Sequence, residues 1–72
     1  SIAKKEEAKA EGMIRKLFLY FMEKPELLPE DYKAQFNNEG IERVVLDYVA
    51  GMTDRYAVRV FQDIFVPGSW IN

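Results

Sequence analysis

The side chains best suited to chemistry are concentrated between positions 43 and 57. This stretch combines acidic, basic and phenolic groups on either side of one glycine: Arg43, Asp47, Tyr48, Gly51, Asp54, Arg55 and Tyr56. An arginine guanidinium matches phosphate oxygens with two parallel hydrogen bonds, and the N–H groups of a helix start favour anions. Asp54, Arg55 and Tyr56 could therefore form part of a phosphate or nucleoside pocket that another segment completes.

The same residues also have a simpler structural interpretation. Three pairs would lie one helical turn apart: Arg43 and Asp47, Arg55 and Arg59, and Arg59 and Asp63. The first and third pairs have opposite charges and would form ordinary ion pairs worth about 0.2 to 0.5 kcal/mol each. Aromatic residues at helical spacing are more often core residues than stacking platforms for a base, which applies to Tyr20, Tyr48 and Tyr56. Spacing alone leaves both interpretations open.

The chain has neither cysteine nor histidine. It therefore has no disulfide framework, no thiolate metal site and no histidine to act as a base near neutral pH. Asp47 and Asp54 would face one side of an unbroken helix, but two carboxylates without histidine make a weak metal site. We predict no metal site and no self-contained catalysis within these residues.

Composition and charge narrow the classes of partner. Hydrophobic residues make up 49% of the chain and charged residues 31%, which is typical of a folding chain rather than a disordered one. The net charge is −2, from 10 basic and 12 acidic side chains, and this lack of a positive excess disfavours nucleic-acid binding. No apolar run approaches the roughly 20 residues that span a bilayer. The start at Ser1 suggests a cut point, and we expect an excised piece of a larger cytoplasmic protein.

Three main helices are predicted to position the polar stretch. Each has apolar residues at i, i+3, i+4, i+7 and i+8 or an equivalent spacing. The first, Lys4 to Lys24, carries Ala10, Met13, Ile14, Leu17, Phe18 and Phe21, and Pro25 ends it. The second carries Ile41, Val44, Val45, Tyr48, Val49 and Met52. The third carries Ala57, Val60, Phe61, Ile64 and Phe65, and ends at Pro67 and Gly68.

The second and third apolar stripes are out of phase by about one residue, or roughly 100° around a helix axis. We therefore predict a break at Gly51-Met52-Thr53, with Thr53 as N-cap and Asp54 near the positive start of the new helix. The alternative is a single helix with both faces buried.

The segment between the first two main helices, Pro25 to Asn38, is predicted to be a loop with one short helix from about Pro29 to Gln35. Pro29 suits the first helical position. Four large apolar side chains in the segment could reach the core: Leu27, Leu28, Tyr32 and Phe36. Trp70 and Ile71 are expected to fold back onto the bundle. The predicted fold is thus all-α, a single helical domain over residues 1–72, with three main helices plus a short connecting helix.

Residues 43–57, RVVLDYVAGMTDRYA, closely resemble the C-terminal signature of bacterial deoxyguanosinetriphosphate triphosphohydrolase-like proteins. In that family the signature lies in the phosphohydrolase-associated region downstream of an HD domain. The flanking segments are similar too: Leu17 to Phe21, Leu27 to Pro29, and Ile64 to Pro67. The resemblance spans nearly the whole chain, and residues 43–57 carry its most specific part.

The resemblance implies an enzyme that hydrolyses a deoxynucleoside triphosphate (dNTP) to deoxynucleoside and inorganic triphosphate with a divalent metal, Mg²⁺ or Mn²⁺. Its metal ligands belong to an HD motif, which is expected upstream of Ser1 because this chain has no histidine. This region would then be an accessory helical domain that packs on the HD domain of the same chain and on neighbouring subunits of a homo-oligomer. The resemblance places five motif positions on the substrate side: Asp47, Tyr48, Asp54, Arg55 and Tyr56.

Two other functions remain open at this point. One is a non-catalytic helical protein-interaction module in which the motif only caps a helix and packs a core. The other is an allosteric or single-stranded nucleic-acid site that uses Arg43, Arg55 and Arg59, which the net negative charge disfavours.

Overall fold

Helices account for most of the computed structural model, which describes residues 2–68, with side chains described from residue 7 onward. They are α1 (Ile2–Glu23), α2 (Glu30–Lys33), α3 (Phe36–Glu39), α4 (Ile41–Ala50) and α5 (Asp54–Phe65). A 3₁₀ turn, Pro25–Leu27, connects α1 to the segment that leads into α2. The described residues contain no β-strand. The predicted all-α fold with three main helices is confirmed.

The core lies where the C-terminal half of α1 packs against α4. Leu17, Val44 and Val45 are fully buried at its centre. Helix α5 closes one side through Ala57, which is only 1% exposed, and the connecting segment contributes Leu28. The apolar stripes predicted for the three main helices therefore do face one common core.

The ends of the predicted stripes are more exposed than the sequence pattern indicated. Ala10 is exposed, as are all the described side chains from residue 7 to residue 12, because the rest of the described chain folds back only on the C-terminal half of α1. Ile41 and Phe65 are 41% and 40% exposed, at the start of α4 and the end of α5. Helix periodicity assigns a face but not how far a neighbouring element extends along it.

The connecting segment is divided into two four-residue helices, whereas the sequence predicted one. Pro29 is the N-cap of α2, with φ −58° and ψ 152°, and not its first helical residue. Its carbonyl accepts hydrogen bonds from the N–H groups of Tyr32 and Lys33 at 3.0 and 3.1 Å. The division comes at Gln35, whose N–H bonds to the carbonyl of Tyr32 in the tighter i→i+3 pattern.

Glycine and proline set the remaining boundaries. Helix α1 ends at Glu23, just before Pro25, as predicted within one residue. Gly40, at φ +83°, turns the chain from α3 into α4, a conformation that side chains with a Cβ rarely adopt. Trp70 and Ile71, expected to fold back, lie outside the described residues. No helix in the described part is long and apolar enough to cross a membrane.

Candidate functional site

The turn between α4 and α5 is built by the glycine and threonine of the signature. Gly51 donates its N–H to the carbonyl of Asp47 at 3.0 Å, and a Cβ on Gly51 would lie only 3.0 Å from that same oxygen. Thr53 is extended, and its Oγ1 accepts a hydrogen bond from the N–H of Tyr56 at 3.1 Å. This N-cap starts a new helix at Asp54. The predicted break is confirmed, and the single-helix alternative is excluded.

The turn brings two tyrosines from different helices into contact. The hydroxyl groups of Tyr48 and Tyr56 are 3.0 Å apart and form a hydrogen bond in which either can donate. Tyr48 is 8% exposed, with its ring edge-on to Phe21 at a centroid distance of 5.3 Å, whereas Tyr56 is 45% exposed. Burial, together with the hydrogen bond to Tyr56, raises the pKa of Tyr48 above its ordinary value of 10.0.

The connecting segment completes an open cleft of about 370 Å³ around this pair, which we call the tyrosine cleft. The ring of Tyr32 lies 5.0 Å from that of Tyr48, inclined at 63°. The lining residues are Pro29, Asp31, Tyr32, Tyr48, Gly51, Met52, Thr53 and Tyr56. Aromatic rings beside hydroxyl groups and a carboxylate can bind a small molecule that is partly planar and partly polar, such as a nucleoside.

A second, smaller cleft of about 250 Å³ lies on the other side of Tyr56. Thr53, Arg55, Tyr56 and Arg59 line it, and we call it the arginine cleft. Arg55 and Arg59 are four residues apart in α5 and so lie on the same helix face. Tyr56 and Thr53 line both clefts, which places an aromatic site beside a basic one.

The two aspartates of the predicted set do not line either cleft. Asp47 forms an ion pair with Arg43, with 3.2 Å between Oδ1 and Nε. Both side chains are substantially exposed, so this pair contributes little stability. Asp54 is exposed in the first turn of α5, where its charge favours the helix start. Of the five predicted positions, the structure thus groups Tyr48, Arg55 and Tyr56 around the clefts.

Comparison with known proteins identifies the domain. The phosphohydrolase-associated domain family matches residues 1–63. The chain belongs to this family. The predicted resemblance is therefore confirmed.

Relatives of this phosphohydrolase-associated domain carry the name deoxyguanosinetriphosphate triphosphohydrolase-like protein. The relative from Caldanaerobacter subterraneus is 40% identical over all of this chain, which corresponds to 21% of that protein. The relative from Geobacter metallireducens is 48% identical over 82% of the chain and 15% of its own length. The relative from Leptospira interrogans is 48% identical over 72% of the chain and 14% of its own length. The chain thus spans between a seventh and about a fifth of these relatives. No solved structure matches it significantly.

Two cleft residues that could contact a ligand, Asp31 and Tyr32, were not predicted as site residues of this phosphohydrolase-associated domain. Asp31 was included only in the short connecting helix, and Tyr32 was interpreted as a core residue. Their proximity to Tyr48 depends on how the connecting segment folds, and no spacing rule signals it. Arg59 was interpreted as an ion-pair partner or as part of an allosteric or nucleic-acid site. Its place in one cleft with Arg55 could have been predicted, because the two lie one helical turn apart.

Other polar residues of the domain lie apart from the clefts. Tyr20, considered as a stacking platform, packs edge-on against Phe65 at 5.7 Å, and Lys24 Nζ lies 4.9 Å from the centre of its ring. The ion pair predicted between Arg59 and Asp63 does not form among the described side chains, where ion pairs join Arg43 to Asp47 and Lys33 to Glu30.

The described residues also bear on the divalent metal that the family resemblance implies. Nowhere in residues 7–68 do three histidine, cysteine, aspartate or glutamate side chains come together in a way that could hold a metal ion. The described side chains therefore do not fit such a metal.

Proposed function

We propose that this phosphohydrolase-associated domain is the accessory C-terminal domain of a larger, metal-dependent dNTP triphosphohydrolase. The full-length enzyme would release a deoxynucleoside and inorganic triphosphate. The names of the relatives support the reaction class, and this chain covers only 14% to 21% of the length of the three relatives described above. The remainder of such a protein has room for an HD domain that binds Mg²⁺ or Mn²⁺. This chain supplies no histidine for such a site.

The observation that carries the proposal is the exposure of the polar signature residues on open clefts. Thr53 and Ala57 have clear structural roles, because Thr53 caps α5 and Ala57 is buried on the side of α5 that faces the core. Arg55 is exposed and lines the arginine cleft, and Tyr56 is 45% exposed between the two clefts. Folding alone gives no reason for an arginine at position 55. A substrate pocket that this domain shares with the HD domain would give such a reason.

Exposed apolar side chains support contacts with other parts of such an enzyme. Among the described side chains, eight large apolar residues are at least 40% exposed: Leu19, Leu27, Ile41, Leu46, Tyr56, Val58, Phe65 and Val66. A domain of this size with so much apolar surface is typical of one that packs on a larger partner. The partners proposed are the HD domain of the same chain and further subunits of a homo-oligomer. The cytoplasmic location stays a prediction.

The substitution Arg55→Ala in the full-length protein tests the proposal. We expect kcat/KM for dNTP hydrolysis to fall by about tenfold or more, since a charge-assisted contact to substrate contributes about 1.5 to 3 kcal/mol. The melting temperature should hardly change, because surface substitutions usually alter stability by less than about 0.5 kcal/mol. Arg15→Ala is the matched control, as it removes an exposed arginine from α1, away from both clefts.

The second candidate function is a non-catalytic helical interaction module. The same exposed apolar residues favour it, because they would suit a partner protein equally well. In that case Arg55→Ala would alter the oligomer mass or the melting temperature and leave any hydrolysis by the full-length protein unchanged. Turnover, thermal unfolding and light scattering on the same preparation separate the two functions.

A further inference from the structure

The arginine cleft contains one basic residue beyond the signature. Arg59 lies one turn after Arg55 in α5, and both residues line the same small cleft. Residues four apart on a helix have their Cβ atoms about 5 to 6 Å apart, a distance that two long arginine side chains can converge across onto one ligand. Two forked donors can thus reach a single ligand in this cleft.

Neither arginine is neutralised by the rest of the described chain. The ion pairs among the described side chains are Lys33 with Glu30 and Arg43 with Asp47. Asp54 and Asp63 lie on the same helix but form no ion pair with either arginine, and no carboxylate lines the cleft. Like charges at i,i+4 weaken a helix slightly, so an anion held between them would relieve an unfavourable contact.

Tyr56 connects this basic cleft to the aromatic one. Its side chain lines both clefts, and its hydroxyl bonds to that of Tyr48 on the tyrosine side. A ligand that crosses Tyr56 would place one end among aromatic rings and hydroxyl groups, and the other end between two guanidinium groups. A planar, polar body joined to a chain of phosphates has this distribution of chemistry.

We propose that Arg55 and Arg59 form a subsite for the phosphate chain of a nucleotide whose nucleoside part occupies the tyrosine cleft. The choice of a dNTP as the nucleotide rests on the function proposed above. The backbone of single-stranded nucleic acid offers the same phosphate chemistry, but the chain has a net charge of −2. The remaining arginine of that hypothesis, Arg43, is paired with Asp47 and lies outside the cleft.

Titration of the full-length protein with inorganic triphosphate tests the subsite directly. The experiment is done by calorimetry in EDTA, so that no divalent metal contributes to the binding. Arg59→Ala should weaken binding by about tenfold, as expected for the loss of a charge-assisted contact. Arg59→Lys should recover only part of this loss, because lysine keeps the charge but not the fork. Arg15→Ala should bind as the wild type does.

Three results would overturn the subsite. The first is that the wild-type protein fails to bind triphosphate in EDTA, and the second is that Arg59→Ala binds triphosphate as tightly as the wild type. The third result is that Arg15→Ala loses as much triphosphate binding as Arg59→Ala does. A melting temperature of Arg59→Ala within a few degrees of wild type ensures that a loss of binding is not a loss of folding. A subsite for nucleic acid would instead show weaker binding of a single-stranded oligonucleotide by Arg59→Ala and unchanged binding of triphosphate.

Failure of the subsite and failure of the proposed function are distinguishable. If Arg59→Ala binds triphosphate normally while Arg55→Ala loses turnover, the subsite is wrong and the enzymatic role of the domain stands. If the full-length protein hydrolyses no dNTP, the proposed function fails, and the triphosphate titration still decides whether the two arginines bind phosphate.

Discussion

Tyr48 links the core of the domain to its candidate site. Its ring packs edge-on against Phe21 within the α1–α4 core, and its hydroxyl reaches the partly exposed Tyr56. The sequence pattern predicted the first role, and the family resemblance implied the second. The first role is observed and the second stays a prediction, and one tyrosine can serve both because its apolar ring and polar tip can face different surroundings.

The raised pKa of Tyr48 predicts how stability depends on alkaline pH. Burial raises this pKa above its ordinary value of 10.0, so the unfolded state loses the phenolic proton at a lower pH than the folded state. The protonated Tyr48 hydroxyl makes its full contribution to the free energy of unfolding below pH 10. This contribution is lost as pH rises further, by up to about 1.4 kcal/mol per pH unit. Tyr48→Phe removes the ionisable group and this dependence.

Urea unfolding of the 72-residue chain between pH 8 and 11.5 measures this effect. At neutral pH Tyr48→Phe should be less stable than wild type by about 1 kcal/mol, because it loses the hydrogen bond to Tyr56. That difference should shrink above pH 10 as the wild type loses stability. A difference that stays constant to pH 11.5 would show that the Tyr48 hydroxyl is not protected in the folded state.

Among the secondary-structure elements, the main helices and the α4–α5 turn were predictable, and the connecting segment was less so. The offset between the two apolar stripes, a glycine and a capping threonine predicted the turn. These are local signals; Thr53, for example, needs only the N–H of Tyr56 three residues away. Helices α2 and α3 have four residues each, too short for periodicity to define. The position of Tyr32 beside Tyr48 depends on packing between distant segments, which explains why the sequence placed it in the core and not at the cleft.

Two leucines of α1 provide a matched test of the core. Leu17 is fully buried and Leu19 is 58% exposed on the same helix. Leu17→Ala should cost about 2 to 5 kcal/mol. A domain of this size has only about 3 to 5 kcal/mol of net stability, so this variant should be largely unfolded. Leu19→Ala should change the stability of the 72-residue chain by less than about 0.5 kcal/mol.

Thermal unfolding followed by circular dichroism distinguishes the two leucine variants. Equal loss of stability would mean that α1 does not pack on α4 through the face that the structure assigns. A stable Leu17→Ala variant would contradict the position of the core itself.

At the scale of the whole molecule, the proposal is that this domain forms part of a larger enzyme. Its relatives are several times longer, its apolar surface is extensive, and its clefts are open and lack residues for a metal site in the described range. A pocket wall with arginines and tyrosines but no metal ligands can bind and orient a nucleotide, and another domain must then supply the reaction centre. We therefore propose a division of labour, in which this domain helps to bind the nucleotide and the rest of the protein carries out the reaction.

The most direct test compares the full-length protein with the 72-residue chain. Each is incubated with dGTP and with the other dNTPs, in the presence of Mg²⁺ or Mn²⁺, and the release of inorganic triphosphate is measured. We expect release by the full-length protein and none by the 72-residue chain. No release by the full-length protein with any of these substrates and metals, or release by the isolated chain, would contradict this division of labour.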